Sequence, residues 1–532
     1  MEMSAVFLHL LMAAFGTLVL HMLKFKATAD QTPCIPRKFD QDSIVCVCNA
    51  TYCDYQGIEG GGLLFTYYNT FMTTRDGLRM QRDIGSFDDG VKPNKYIFSV
   101  GNETKQTIIG FGGAFTDAAV LTMNSLSADA RRNLINSYYD QQGIEYNLGR
   151  IPMASCDFST HIYSYDDVDG DLKLENFKLA DEDIKYKIPA ILDAIKVSKR
   201  NVSLFGSPWS SPAWMKTNGN MTGKGQIKGS PGGEYFKAWA NYFVKFIQAY
   251  KAQGINIWGL TAQNEPSDGM ISGFAFQCLG WTPELQRDFI SQDLGPALEA
   301  NGLGDVKLMI LDDQRVFLPY WAETVLNDPN AAKYVSGIAV HWYEDLVVPT
   351  SALDRTYKKF GNNYFILNTE ACEQDIINKN RSVLLGNWYR GERYFTDIVQ
   401  DLKHGVAGWV DWNLALNMQG GPNWENNRAD SPVIVNADKG EFYKQPMFYA
   451  MGHFSKFVRP GSKVISHVDN LPGSSDLQVI FVEREDNSIV ANMVNINDQE
   501  VYNITITDSM VPGYLNYQIP PKSFVTFIWY RK

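Results

Sequence analysis

Beyond its first 29 residues the 532-residue chain has no apolar run near the ~20 residues that a membrane-spanning helix needs. The mature chain is therefore expected to be soluble or peripheral to membranes. Basic runs are missing as well. Lys and Arg number 48 against 59 Asp and Glu, a net charge of −11. That sign repels a polyanion at long range, so nucleic acid is not an expected partner. It also disfavours strong electrostatic docking on anionic lipid. Cysteine is scarce, seven residues in all. None falls into the spaced Cys and His pairs that hold structural zinc, so no metal site is expected. The sequence contains no internal repeat and no low-complexity tract.

What is present points to the secretory route. Ala5–Leu23 is largely apolar and is followed by Lys24 and Lys26. Residues 1–29 read as a signal peptide cleaved near Ala27 or Ala29. An uncleaved anchor is the alternative, because Met1–Ser4 carries Glu2 and no Lys or Arg. Cys34, Cys46, Cys48 and Cys53 crowd together after this segment. In a secreted chain they read as two disulfides in one of three connectivities. Cys156, Cys278 and Cys372 stand apart, and their odd number leaves at least one free thiol. Asn49, Asn102, Asn201, Asn220, Asn380 and Asn503 each begin an Asn-x-Ser/Thr acceptor for glycosylation.

From Thr107 onward, short β-rich runs alternate with amphipathic helical stretches. The runs are Thr107–Gly112, Tyr146–Ile151, Val202–Ser207, Ile255–Thr261, Val306–Leu311, Gly337–His341, Tyr364–Asn368 and Val406–Trp412. Eight β–α units in series predict a (β/α)8 TIM barrel, since parallel strands need helical crossovers. Phe236, Trp239, Phe243, Phe246 and Tyr250 recur at helical spacing. Thr282-Pro283 reads as an N-cap and first residue of a further helix, with Leu285, Phe289, Leu294 and Leu298 as its buried stripe. Both flanks look different. Leu63–Tyr68, Leu78–Ile84 and Tyr96–Val100 read as strands, as do Lys463–Val468, Leu477–Val482, Ser488–Val494, Tyr502–Thr507 and Ser523–Tyr530. They alternate and are divided by turn residues, which predicts an antiparallel, all-β sandwich domain built from both chain ends.

Active sites of such barrels form where the strands end. The fourth run ends in Asn264-Glu265-Pro266 and the seventh in Thr369-Glu370-Ala371. Two carboxylates would thus meet on one rim. That pair is the minimum equipment for retaining glycoside hydrolysis, one as nucleophile and one as acid/base. Taken singly, a glutamate at a strand end is usually a solvated surface group.

Longer motifs carry a resemblance. GFGGAFTDA (Gly110–Ala118), RIPMASCDFS (Arg150–Ser159), SPWSSPAWMKTNG (Ser207–Gly219), LTAQNEPS (Leu260–Ser267), AVHWY (Ala339–Tyr343), WVDWNLALN (Trp409–Asn417) and GGPNW (Gly420–Trp424) resemble the glucosylceramidase branch of glycoside hydrolase family thirty. The likeness runs from Cys34 to the last strand. It implies Glu265 as acid/base, Glu370 as nucleophile, and Asn264 on the sugar 2-hydroxyl. It implies that Asp157, Trp209, Trp412 and Asn427 hold the glucose, while Arg150, His341 and Tyr343 orient the nucleophile. It pairs Cys34 with Cys46 and Cys48 with Cys53.

The domains expected are a disulfide-containing segment 30–59 packed with a segment near 414–445, a sandwich of 60–106 plus 460–532, and a barrel of 107–413 plus 446–459. The activity implied is hydrolysis of glucosylceramide in membranes, without a cofactor. A saposin-type activator and anionic lipid are implied partners, and the lysosome or secretion the implied location. Without the resemblance, Trp209 and Trp412 would read as core aromatics, His341 as a core histidine, Asp157 as a turn cap and Arg150 as a structural ion-pair partner. One segment departs from the family pattern. The loop Cys372–Arg381 after Glu370 differs in composition, and Glu344 and Asp345 are expected to make the mouth more acidic. A β-1,6-glucanase, a β-xylosidase and a catalytically silent binding protein are the rival readings.

Overall fold

The computed structural model describes residues 31–57, 65–375 and 382–531. The expected signal peptide at 1–29, the end of the loop expected at Cys372–Arg381 and the Asn380 acceptor fall outside these described residues.

Eight parallel strands close a barrel. They are β1 (Gly110–Ala114), β2 (Leu148–Met153), β3 (Ser203–Pro208), β4 (Ile257–Thr261), β5 (Lys307–Gln314), β6 (Val335–His341), β7 (Phe365–Glu370) and β8 (Val406–Asn413). Each run expected from the sequence contributes one strand. β8 pairs with β1 and closes the cylinder. Leu148, Phe205, Met309, Ala339, Leu367 and Val410, one from each of six strands, fill its interior. The barrel is therefore a packed core, and chemistry is confined to its rim.

Amphipathic helices cover the outside. In Glu234–Ala252 the residues Phe236, Phe243, Ile247 and Tyr250 recur every three to seven positions and are buried. Thr282 caps the next helix by accepting from the Leu285 N–H, with Pro283 at its first position. That helix does not run regularly through its buried stripe. It widens into a π-turn over Ile290–Leu294 before resuming at Gly295–Ala300. Pro296 has no N–H for the carbonyl four residues back, so the preceding turn takes i+5 bonds instead.

Nine strands from both chain ends form a second sheet. Its order is Leu515–Ile519, Tyr502–Asp508, Tyr96–Thr107, Lys463–Asp469, Leu477–Glu483, Ser488–Asn495, Ser523–Tyr530, Tyr67–Thr74 and Gln81–Ser86. The sheet folds over a core of Phe98, Phe481, Ile504, Phe527 and Trp529, so the two layers of the sandwich are continuous. An isolated bridge between Asp88 and Tyr514 nearly joins its two edges. The pairing is not purely antiparallel: Tyr502–Asp508 runs parallel to Tyr96–Thr107. The strand expected at Leu63–Tyr68 begins outside the described residues; within them a strand runs from Tyr67 to Thr74.

A third sheet of five strands joins Pro36–Lys38 and Ile44–Cys48 to Glu441–Lys444, Val433–Asn436 and Leu416–Asn417. Disulfides link Cys34 to Cys46 and Cys48 to Cys53. Cys156, Cys278 and Cys372 are free and buried. Among the sequon asparagines, Asn102, Asn201, Asn220 and Asn503 are exposed and Asn49 is half-buried. No helix of the described residues is long and apolar enough to cross a membrane.

Candidate active site

Glu370 is the last residue of β7, and Glu265 stands four residues beyond β4. The backbone between β4 and Glu265 is pinned on both sides. Asn264 N–H donates to the Pro208 carbonyl at 2.9 Å, and Glu265 N–H to the Asp312 carbonyl at 2.8 Å. Glu265 is held at φ +39°, a left-handed conformation rare outside glycine. The nearest oxygens of the two carboxyl groups lie within 4.8 Å of each other and of a His341 ring nitrogen.

Arg150, in β2, is wholly buried and organises the floor. Its Nη1 bonds Glu370 Oε2, its Nη2 donates to Asn264 Oδ1 and Asp312 Oδ2 at 2.8 Å each, and its Nε donates to Ser207 Oγ at 3.1 Å. The guanidinium also faces the rings of Trp209 and Trp412, 4.9 and 5.3 Å from their centroids. Burying a guanidinium is costly unless its charge and donors are met, and here both are. Tyr343 donates its hydroxyl to Glu370 Oε1 at 2.6 Å.

His341 does not touch Glu370. Its Nδ1 lies 3.0 Å from Glu265 Oε1 and its Nε2 3.1 Å from Asp312 Oδ1. Gln314 Nε2 donates to the same Glu265 Oε1 at 3.1 Å. Burial would lower the His341 pKa, but the charge of Glu370 and the bonds to Asp312 and Glu265 outweigh it and carry it to about 10. Burial works against ionised Asp312, yet Arg150 and His341 hold that carboxyl well below the usual range. Burial raises both glutamates. His341, by hydrogen bond and charge, brings Glu265 below its ordinary value, whereas Glu370 stays above its own.

Asp157, Trp209, Glu265, Tyr343, Glu370, Trp412 and Asn427 line one cleft of about 340 Å³, together with Phe276 and Gln374. Trp209 and Trp412 stack with centroids 5.0 Å apart and form a single aromatic wall. Asp157 Oδ2 accepts from Asn427 Nδ2 at 2.9 Å and Asn423 Nδ2 at 3.2 Å. Burial still pushes the Asp157 carboxyl up to about 7. Asn264 is buried, with its Oδ1 accepting from Arg150.

One expectation fails at the mouth. Asp345 does not add charge to the rim, because its side chain is 8% exposed and pairs with Arg315 at 2.8 Å. Glu265, His341 and Glu370 are close enough to share a cation. Their donor set fits one poorly, since both His341 nitrogens are already bonded to carboxylates and Glu370 is bonded to a guanidinium. The sequence reading overlooked Asp312, Gln314 and Asn423. A signal for the first two existed, a run of polar residues, Asp312-Asp313-Gln314-Arg315, closing the fifth β-run.

The sequence and the fold resemble those of known proteins. Residues 108–458 match the glycosyl hydrolase family 30 TIM-barrel domain. Lysosomal acid glucosylceramidase of Mus musculus is 48% identical over 502 residues, covering 94% of this chain and 96% of that protein. Endo-1,6-beta-D-glucanase neg1 of Aspergillus fumigatus is 30% identical over 419 residues, covering 76% of this chain and 81% of that protein. Among solved structures, SrfJ from Salmonella typhimurium superposes with a TM-score of 0.79 at 26% identity, covering 88% of this chain and all of that one. With the family domain matched over most of the chain and a relative this similar along nearly its whole length, the protein belongs to glycoside hydrolase family 30 and is a glycoside hydrolase.

Proposed function

We propose that the enzyme hydrolyses glucosylceramide to glucose and ceramide in two steps, with retention at the anomeric carbon. The observation that carries this reading is the closeness of Glu265 and Glu370, with carboxyl oxygens within 4.8 Å. That spacing suits direct attack, for which carboxyls stand roughly 5–5.5 Å apart, and leaves no room for the water of an inverting enzyme at about 6.5–9.5 Å.

Lone pairs assign the roles. Arg150 and His341 bring two positive charges against Asp312, Glu265 and Glu370, so one proton on a glutamate makes the cluster neutral. In Glu370 both oxygens accept a donor, Oε2 from Arg150 and Oε1 from Tyr343. A proton there would displace one of them. In Glu265 the Gln314 and His341 bonds both end on Oε1, so neither of these donors is displaced when Oε2 carries the proton. In the free enzyme burial keeps Glu370 high while the His341 bond and charge hold Glu265 low, so this assignment rests on the donors each oxygen takes and on the needs of the reaction.

Glu370 then attacks the anomeric carbon while Glu265 protonates the leaving oxygen. Glu265, now ionised, takes a proton from water as that water releases glucose. Trp209 and Trp412 form the wall for the sugar ring, with Asp157, Asn427 and Asn264 binding its hydroxyls. The ceramide substrate and a lysosomal location are supported by the name of the mouse relative. Exposed Leu346 and Val347, three and four residues after the cleft residue Tyr343, support contact with a lipid surface, with anionic lipid and a saposin-type activator as the partners to test. The fungal relative supports β-1,6-glucan as the competing substrate.

The test is glucose release from glucosylceramide in anionic vesicles at acidic pH, with and without activator, beside an aryl β-glucoside and a β-1,6-glucan. Glu370→Gln is expected to abolish turnover. Glu265→Gln is expected to be slow but partly rescued by a good leaving group or added azide. Equal and unrescued losses in both variants would refute these roles. Cleavage of the glucan but not of the lipid would overturn the substrate.

A further inference from the structure

Three residues past Glu265 is a second, half-buried carboxyl that is not among the residues lining the cleft. Asp268 begins the short turn Asp268–Met270 directly after the acid. Its N–H donates to the Glu265 carbonyl at 3.0 Å, which closes the turn opened by the left-handed Glu265. The Asp268 and Glu265 side chains hydrogen-bond each other. Two carboxyl groups can do so only if one of them keeps a proton to donate. Glu265 lines the cleft, and Asp268 is not among its lining residues.

The surroundings decide which group keeps it. Asp268 faces Glu265, Asp313 at the end of β5, and the Cys278 thiol. Asp313 is fixed by the Ser267 N–H on its Oδ2 at 3.0 Å. Lys216 approaches Cys278, with Nζ 3.8 Å from Sγ. Glu265, in contrast, faces His341, Gln314 and Arg150, with Glu370 across the cleft. Cationic donors therefore gather on Glu265, and acids gather around Asp268. Burial, and then the Glu265 charge, hold the Asp268 proton on well above the usual carboxyl range.

We propose that Asp268 is a positioning residue that stays protonated through the cycle and donates its hydroxyl to the Glu265 carboxylate, stabilising the form of Glu265 that acts as base in the second step. This rests on the reading of Glu265 as acid/base. No atom is consumed: the proton that leaves Glu265 goes to the departing oxygen, and the Asp268 proton stays where it is. A donor to the ionised form lowers the pKa of Glu265. Asp268 thereby sets the alkaline limb of the first step, which needs Glu265 protonated.

The experiment is the pH profile of kcat/KM on an aryl β-glucoside for the wild type, Asp268→Ala, Asp268→Asn and Glu265→Gln. Alanine removes the donor, and the alkaline limb is expected to move up by about one pH unit. Asparagine keeps an N–H donor, and its limb is expected to stay with the wild type. An unmoved limb in the alanine variant overturns the proposal. So does a downward move in both variants, which would mean that Asp268 is normally ionised. A purely structural residue would lower the rate without moving the limb. The wild-type limb should vanish in Glu265→Gln; if it persists, the acid/base reading fails, and not the account of Asp268 alone. Should the alanine variant fail to fold, infrared difference spectra of wild type minus Asp268→Asn answer the question directly. A protonated-carboxyl band persisting from acidic to neutral pH supports the proposal, and its absence refutes it.

Discussion

Two histidines, both fully buried, sit in opposite electrostatic settings. His341 sits on the catalytic rim, between Glu265 and Asp312. His453 sits at the seam between the barrel and the nine-stranded sheet, with Nε2 2.9 Å from Thr73 Oγ1 and Nδ1 2.7 Å from Thr526 Oγ1. Burial pulls both toward neutrality. Carboxylates reverse that at the rim and carry His341 to about 10, whereas two hydroxyls leave His453 at about 3. Burial alone therefore does not set charge in this protein; the partner does. The rim is a cluster of paired ions, and the seam is neutral, with Phe395 and Phe524 packed around its imidazole.

Breaking the ionic region at its centre should have the largest effect. Arg150→Met leaves Asp312 and Glu370 buried without their shared cation. Removing one partner of a buried ion pair typically costs about 3–5 kcal/mol. The expected outcome is that much lost stability in urea unfolding, with no measurable turnover in whatever remains folded. A loss below about 1 kcal/mol would mean that the rim charges are hydrated, and the contrast with the seam would collapse.

The seam makes the second prediction, through its pH dependence. The folded pKa of His453 lies below the unfolded value of about 6.5, so the unfolded chain binds the extra proton. Its stabilising contribution is complete above that value and is lost as pH falls toward about 3. For His341 the sign is opposite. Its contribution is complete below the unfolded value and is lost as pH rises through about 10. Between pH 7 and pH 5, His453 alone should cost about 2 kcal/mol. His453→Gln has no proton to gain. The variant should start less stable at pH 7 but lose about 2 kcal/mol less than the wild type on going to pH 5, by unfolding at the two pH values. Parallel losses in both proteins would show that the seam imidazole titrates in the fold as it does in the unfolded chain.

The two regions also differ in how far they could be read from sequence. Alternating β-runs and helical stripes were enough for the eight barrel strands, because each strand buries a short apolar run and each helix repeats its apolar residues at fixed spacing. Glu265 and Glu370 were legible because they close the fourth and seventh runs. Asp312 and Gln314 were harder. Leu311 and Asp312 have φ values of +69° and +63°, and the strand register shifts there, so simple alternation misassigns which side chains turn inward. Asp345 was misjudged as a rim charge because sequence does not reveal Arg315 waiting behind it. In the sandwich, the parallel pairing of Tyr502–Asp508 with Tyr96–Thr107 joins segments some 400 positions apart, and no local pattern encodes it.

The smallest effect expected is also the sharpest probe of the rim. Tyr343 donates to Glu370 Oε1 at 2.6 Å, and its ring reaches the cleft from outside the barrel core. Tyr343→Phe keeps the ring and removes one neutral donor from a charged acceptor, worth roughly 1.5–3 kcal/mol where it is fully formed. Glu370 must be ionised to attack, and losing a donor to the ionised form raises its pKa. The acid limb of the kcat/KM profile should therefore move to higher pH by about one unit, with a rate at the optimum lowered about tenfold. Arg150 remains on Oε2, so activity should not vanish as it does in Glu370→Gln. If the acid limb stays fixed while the rate falls, Tyr343 acts on substrate and not on the nucleophile, and Arg150 alone keeps Glu370 charged.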